Sequence, residues 1–372
     1  MTVERGDHAV RIESGRLFGL FSFDVGYEID LRRLRVLLPA EGPTALADDG
    51  KRVAPARVQY PSPPLPVPVG RRSLRLGERT LDAAVSLRIH EFGAVTVLFE
   101  VRFDDVDCDG LPSMTAALTA GSAFEAEARA VLRDAFSRLA PAISRPDLDG
   151  HGLMEDYYVI QVSSFAPATD AATLLGQNRD LLARIVHCEA QPLSTSETDE
   201  VLRTAVTYTP RDLVVTDWNV ALVYDDDYGD ALDVLELLNV QLLELRFLDA
   251  MLDRRISALY EHVGKPRRLL SFRREVVRVR ELSALRLDTV TLRERMINAV
   301  KLLGDLYLTK IYARTAERLH LAEWQRSIDG KLELIQKIAD VFGSRAATAR
   351  AELLELTIIA LIALEIGLFF LR

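Results

Sequence analysis

Alternation of apolar and polar positions is clearest around Phe92-Gly93. There Val95, Val97, Phe99, Val101 and Phe103 interleave with Thr96, Glu100 and Arg102, and the pattern from Ala83 to Phe103 predicts a β-hairpin. Further strands are predicted at Arg16–Val25, Tyr157–Ser163, Leu213–Thr216 and Asn219–Tyr224 from their aromatic and β-branched content. Helical spacing marks Leu31–Leu38 behind an Asp30 cap, Ser122–Leu139 ahead of Pro141, and Ala171–Ile185. Tyr60–Pro68 carries five prolines and excludes a central strand or a helix; it reads as a stiff surface connection, or else as a proline-rich ligand. Strands and helices mix without a regular βαβ period, so an α+β head over residues 1–225 is expected.

After the acids of Asp225–Asp230 the period becomes helical. Leu235, Leu238, Leu242, Leu245, Leu252, Ile256 and Leu259 recur at spacings of three and four, interrupted by Asp249. Gly264-Lys265-Pro266 separates this helix from a second seam that runs from Phe272 to Leu306. A third seam holds Leu321, Trp324, Ile328, Leu332, Ile335, Ala339 and Phe342, up to a break at Gly343-Ser344. Three long helices of alternating direction over 226–345 predict an antiparallel, coiled-coil-like stalk. Residues 353–371 are then almost wholly apolar, about 28 Å of helix, and predict a C-terminal transmembrane helix. Glu365 lies inside that run, where an acid faces a partner helix, protonates, snorkels or lines an ion path.

Composition narrows the function. With 372 residues, 49% hydrophobic and 27% charged, the chain has length for two or three domains and a real core. A net charge of −9 argues against a surface given over to nucleic acid. Cys108 and Cys188 are too few for a disulfide framework or thiolate site, which points to a reducing compartment. Met1–Ile12 has no apolar stretch of signal-peptide length, so a tail-anchored protein with a cytosolic head is the expectation.

Most of the chain beyond residue 85 resembles the family named for "required for meiotic nuclear division", specifically in the last 140 residues and more weakly at 93–100 (GAVTVLFE). The residues concerned are 234–246 (VLELLNVQLLELR), 249–253 (DAMLD), a signature at 317–325 (ERLHLAEWQ) with 328–333 (IDGKLE), and 361–366 (LIALEI). Glu317, Arg318, Leu319, Trp324, Gln325, Ile328 and Lys331 carry that signature. The resemblance implies a membrane-anchored protein without known catalytic residues, placed in a bacterial inner membrane because no mitochondrial presequence is evident.

Few motifs carry chemistry. Asp105, Asp107 and Asp109 before Gly110 match half a calcium loop, but Ala116 stands where the bidentate Glu should be. Asp147 and Asp149 form a similar cluster. His187-Cys188-Glu189 sets three potential ligands in a row that a helix would splay apart. No cofactor or phosphate motif occurs. Arg267, Arg274 and Arg278 share a helix face that could meet RNA phosphates or lipid headgroups, or could pair with Glu236, Glu244 and Asp253 of the first helix. Asp249 in the seam suggests a buried salt bridge that sets register, with an arginine of the second helix as the expected partner. Leu321 and Trp324 are expected in the seam, with Glu317, Arg318 and Lys331 fixing helix pairing. The sum is a membrane-anchored, oligomeric scaffold presenting its head to a protein partner. Its rivals are an RNA or ribosome tether and a metal-dependent enzyme in the head.

Overall fold

The computed structural model describes residues 10–38, 63–120, 123–148, 153–263, 272–300 and 305–370. In chain order the elements are β1 (Arg11–Asp24), β2 (Glu28–Ile29), α1 (Leu31–Leu37), β3 (Leu65–Leu76), β4 (Arg79–Ile89), β5 (Ala94–Asp107), α2 (Leu111–Thr119), α3 (Ala123–Leu139), β6 (Ile143–Ser144), β7 (Met154–Ala166), α4 (Ala171–Gln177), α5 (Arg179–His187), α6 (Thr195–Leu202), β8 (Leu213–Thr216), β9 (Val220–Tyr224), α7 (Gly229–Val263), α8 (Phe272–Val300), α9 (Leu306–Arg318) and α10 (Leu321–Phe370). The fold is mixed α+β, with a sheet-rich N-terminal region and helices in the C-terminal half. Two compact units divide it: Met1–Glu244 with Met296–Ala322, and Leu245–Arg295 with Glu323–Arg372.

The first unit is built on a seven-stranded sheet in the order β3-β4-β5-β1-β7-β9-β8, antiparallel except where β7 lies parallel to β9. β1 is central because both of its faces are apolar: Leu17, Phe21 and Phe23 on one, Phe18 and Leu20 on the other, all buried. On the first face Phe21, Phe99 and Tyr158 meet Phe124 of α3 in an edge-and-stack cluster. Each such side chain contributes about 1.5–3 kcal/mol on burial, so this face anchors the unit. Pro66 and Pro68 belong to β3 at the sheet edge, where a missing N–H costs no ladder bond. The predicted connection at 60–68 is thus partly an edge strand.

The opposite face is polar where α7 covers it. Every residue from 231 to 245 is buried, and one stripe of α7 lies on the strands. Arg88 Nη2 meets Asp233 and Arg88 Nε meets Glu236, each at 2.7 Å, while His90 Nε2 lies 3.0 Å from the other Glu236 oxygen. Burial alone would raise the Glu236 carboxyl, but the Arg88 guanidinium and His90 outweigh it and hold it below its ordinary value. Asn239 donates to Ser22 Oγ at 3.0 Å and to the Glu155 carbonyl at 3.2 Å.

In the second unit Lys331 Nζ lies 2.7 Å from both Asp249 and Asp253, and Ser327 Oγ is 2.7 Å from Asp249. Arg286 bonds Gln336 at 2.7 Å, and Arg278 sits 5.5 Å from the centre of the Phe342 ring. The pairs 249–327 and 253–331 rise together while 278–342 and 286–336 run opposite, so α7 and α10 are parallel and α8 is antiparallel to α10.

Several expectations are corrected. The second seam does not run to Leu306: α8 ends at Val300, and Asp305 caps the separate α9 through the Tyr307 and Leu308 N–H groups. α10 passes through Gly343-Ser344 without interruption. The helix predicted at 171–185 is broken at Asn178 into α4 and α5. The composition change at 225 is not the limit of the sheet unit, because the first part of α7 packs on the strands. Among the described residues no helix is long and apolar enough to cross a membrane, which removes the transmembrane helix expected over 353–371. Glu355 and Glu365 interrupt its apolar run.

Candidate functional site

The densest polar site of the sheet unit gathers around Asp217, 2% exposed in the turn between β8 and β9. Arg318 at the end of α9 places Nε 2.6 Å from Asp217 Oδ1, and His187 places Nδ1 2.7 Å from Oδ2. The Trp218 N–H also donates to Oδ1 at 2.8 Å, and the buried Tyr157 hydroxyl donates to the Asp217 carbonyl at 2.9 Å. Local structure explains each position. α5 stops at His187 because Cys188 adopts a left-handed φ of 58°. Ser194 caps α6 through the Glu197 N–H, which brings Glu197 within 3.9 Å of His187 Nε2 and Glu200 within 3.9 Å of Arg318. Thr315 Oγ1 lies 3.2 Å from Thr216 Oγ1, holding α9 against β8.

Such a buried carboxylate fixes the imidazole orientation. The adjacent thiol adds nothing to it. Burial pushes Cys188 up to about 11, so it stays protonated at neutral pH. Beside the buried ions, the Trp218 and His320 rings lie 5.3 Å apart, tilted by 40°, and both residues are exposed. A cleft of about 330 Å³ elsewhere in this unit is lined by Asp225, Asp226, Asp227 and Asp230 with Tyr208 and Tyr307.

The predicted residues fall in scattered places. Of the signature, Arg318 binds Asp217 and Leu319 is buried, while Glu317 is exposed with Arg314 3.7 Å away. Lys331 fixes α10 to α7 through Asp249, so among the described residues the charged partner of Asp249 is this lysine, where an arginine of α8 was expected. Ile328 is buried; Trp324 and Gln325 are half-buried. Arg278 pairs with Glu275 and Phe342, the side chain of Arg274 is outside the described residues, and so is Arg267. The acids expected opposite them are engaged otherwise: Glu236 with Arg88 and His90, Asp253 with Lys331. Asp105 pairs with Arg11, and Asp107 caps the Asp109 N–H. Asp149 lies outside the described residues, and Asp147 is exposed. Among the described residues no three acids, histidines or cysteines come together as a metal site. Glu365 is exposed amid Leu364 and Ile366.

Sequence reasoning missed His187 and Asp217 as partners. Thirty residues separate them, and a lone Asp between two apolar strands carries no signal of its own.

A family model described as "Uncharacterized protein MJ0711, N-terminal domain" matches residues 14–231. The uncharacterized protein MJ0711 of Methanocaldococcus jannaschii is 26% identical over 210 residues, which is 54% of this chain and 62% of that one. No solved structure matches. The matches overturn the resemblance to the meiotic-division family. That resemblance rested on Leu-, Glu- and Arg-rich helices, whose seams repeat similar residues in any coiled-coil-like protein, whereas the family match covers the sheet unit.

Proposed function

The chain belongs to the MJ0711 N-terminal-domain family, and from that premise we propose a membrane-associated scaffold, in which the sheet unit meets a protein partner and lipid takes up the end of α10. The observation that carries the reading is the exposure of ten large apolar side chains between Leu354 and Phe369, from 48% at Leu356 to 79% at Phe369. Left in water, roughly half of the 1.5–3 kcal/mol available per side chain is forgone, about 10 kcal/mol in all. At 100° per residue these side chains point to every side of the helix. One partner helix covers a stripe; a fluid apolar solvent covers the circumference.

The run from 354 to 369 measures about 24 Å, shorter than a hydrocarbon slab of about 30 Å, so the end enters lipid without being taken to cross it. Within hydrocarbon, Glu365 costs roughly 3 kcal/mol unless a polar group meets it. A second copy of the chain supplies such a group, which favours a homo-oligomer.

Flotation with phosphatidylcholine vesicles tests the reading. The full chain is expected to rise with the vesicles, and Ile362→Asp to lower the lipid-bound fraction about a hundredfold, the equivalent of roughly 3 kcal/mol. A full chain that stays at the bottom of the gradient as a soluble oligomer would overturn it.

A further inference from the structure

α7 carries five groups on the stripe that faces the sheet: Asp233, Glu236, Asn239, the apolar pair Val240 and Leu243, and Glu244. Arg88 and His90 answer the first two acids, and Ser22 with the Glu155 carbonyl answers Asn239. Glu244 differs. It is 1% exposed, and its Oε1 is buried with no hydrogen-bond partner among the described residues.

Packing shows what lies beside it. Val240 and Leu243 form a small core with Ala94, and Ala94 is the cross-strand partner of Asp24 at the end of β1. Glu244 follows Leu243 on the same stripe, which sets it on the side of α7 that meets the end of β1. The Asp24 Oδ1 accepts the Gly26 N–H at 3.0 Å, and the Asp147 N–H donates to the Val25 carbonyl at 3.0 Å, bringing a third acid near. Beyond burial, the Asp24 charge acts on Glu244, and the Asp147 charge acts on Asp24. Two ionised carboxylates in one dry site repel, and burial penalises each; one proton held between them relieves both.

We propose that Asp24 and Glu244 share a proton, and that its loss loosens this part of α7 from β1, making the pair a pH-sensitive latch. The latch sits at the last α7 residue of the sheet unit, Glu244, after which the helix continues into the second unit. Burial, with Asp147 adding to it and the Gly26 N–H opposing, brings the Asp24 carboxyl to about 6. Burial and the Asp24 charge raise Glu244 well above its ordinary value. Both groups bind protons more tightly folded than unfolded. Their contribution to stability is therefore complete below about pH 4, the range of unfolded carboxyls, and is lost as pH rises through about 6 and beyond.

Hydrogen exchange of the full chain, corrected for intrinsic rates, tests this at a series of pH values from acid to alkaline. Protection of amides near 22–26 and 240–248 is expected to fall about tenfold or more on alkalinisation, one pKa unit being worth a factor of ten. In Glu244→Gln, which keeps the shape without the charge, protection should stay level. The infrared band of protonated buried carboxyls should be present in the wild-type chain at acid pH, disappear on alkalinisation and be weaker in the variant by one carboxyl. Protection that falls equally in both proteins, or a wild-type chain without that band, would overturn the latch.

Discussion

Replacing Arg318 by leucine is expected to cost about 3–5 kcal/mol, read as a lower urea midpoint at unchanged slope. The Arg318 side chain is 18% exposed and that of Asp217 is 2%, so the pair is held apart from water. Leucine would recover part of the apolar packing of the arginine stem, about 1 kcal/mol. It would also leave the Asp217 carboxylate with His187 and one backbone N–H in place of a short charge-assisted bond of 2.6 Å. The uncompensated buried charge outweighs the packing gain. Arg318→Lys should recover about half of the loss, because the ammonium restores charge but lacks the fixed guanidinium geometry. An Arg318→Leu midpoint within error of the wild type would show that Asp217 does not depend on this cation.

Gly93→Ala is expected to cost about 4 kcal/mol or more and to reduce the yield of folded chain. Gly93 has a φ of +103°, and a Cβ there would lie 1.9 Å from the Gly26 carbonyl oxygen. Both atoms belong to backbone, and Gly93 also accepts the Val25 N–H at 3.0 Å, so relief requires moving the end of β1 as well as the hairpin. Gly77→Ala is the control. Its φ of +60° is also left-handed, but nothing lies within 4 Å, so only the conformational cost of about 1 kcal/mol should appear. Equal losses at the two positions would contradict the steric account.

These residues also mark how far the sequence could be read. The hairpin around Gly93 was legible because strand alternation and a turn glycine are neighbours along the chain. The Asp30 cap of α1 was legible for the same reason, its side chain meeting the Arg33 N–H three residues on. Arg318 stands 101 residues from Asp217, and a helical seam favoured pairing it within a stalk. The order of the sheet was equally hidden: β1 lies between β5 and β7, and strand patterns specify faces but not neighbours. α7 misled in another way. Leucine spacing of three and four predicts a stripe, yet residues 231–245 are buried on all sides, because the intervening acids and amides meet sheet partners instead of water. The exposed end of α10 was visible as an apolar run, with Glu355 and Glu365 within it, yet among the described residues no helix is long and apolar enough to cross a membrane.

The surroundings of that end decide the central claim. Nitroxide labels placed one at a time along 354–369 of the full chain, with Cys108 and Cys188 replaced by serine, would report oxygen accessibility in phosphatidylcholine vesicles. Lipid around the helix predicts high accessibility at all positions except those beside Glu365 that face the second copy, and none of them in water. A period of about 3.6 residues, with one stripe shielded and the opposite stripe in water, would show that protein covers this helix and would contradict the account.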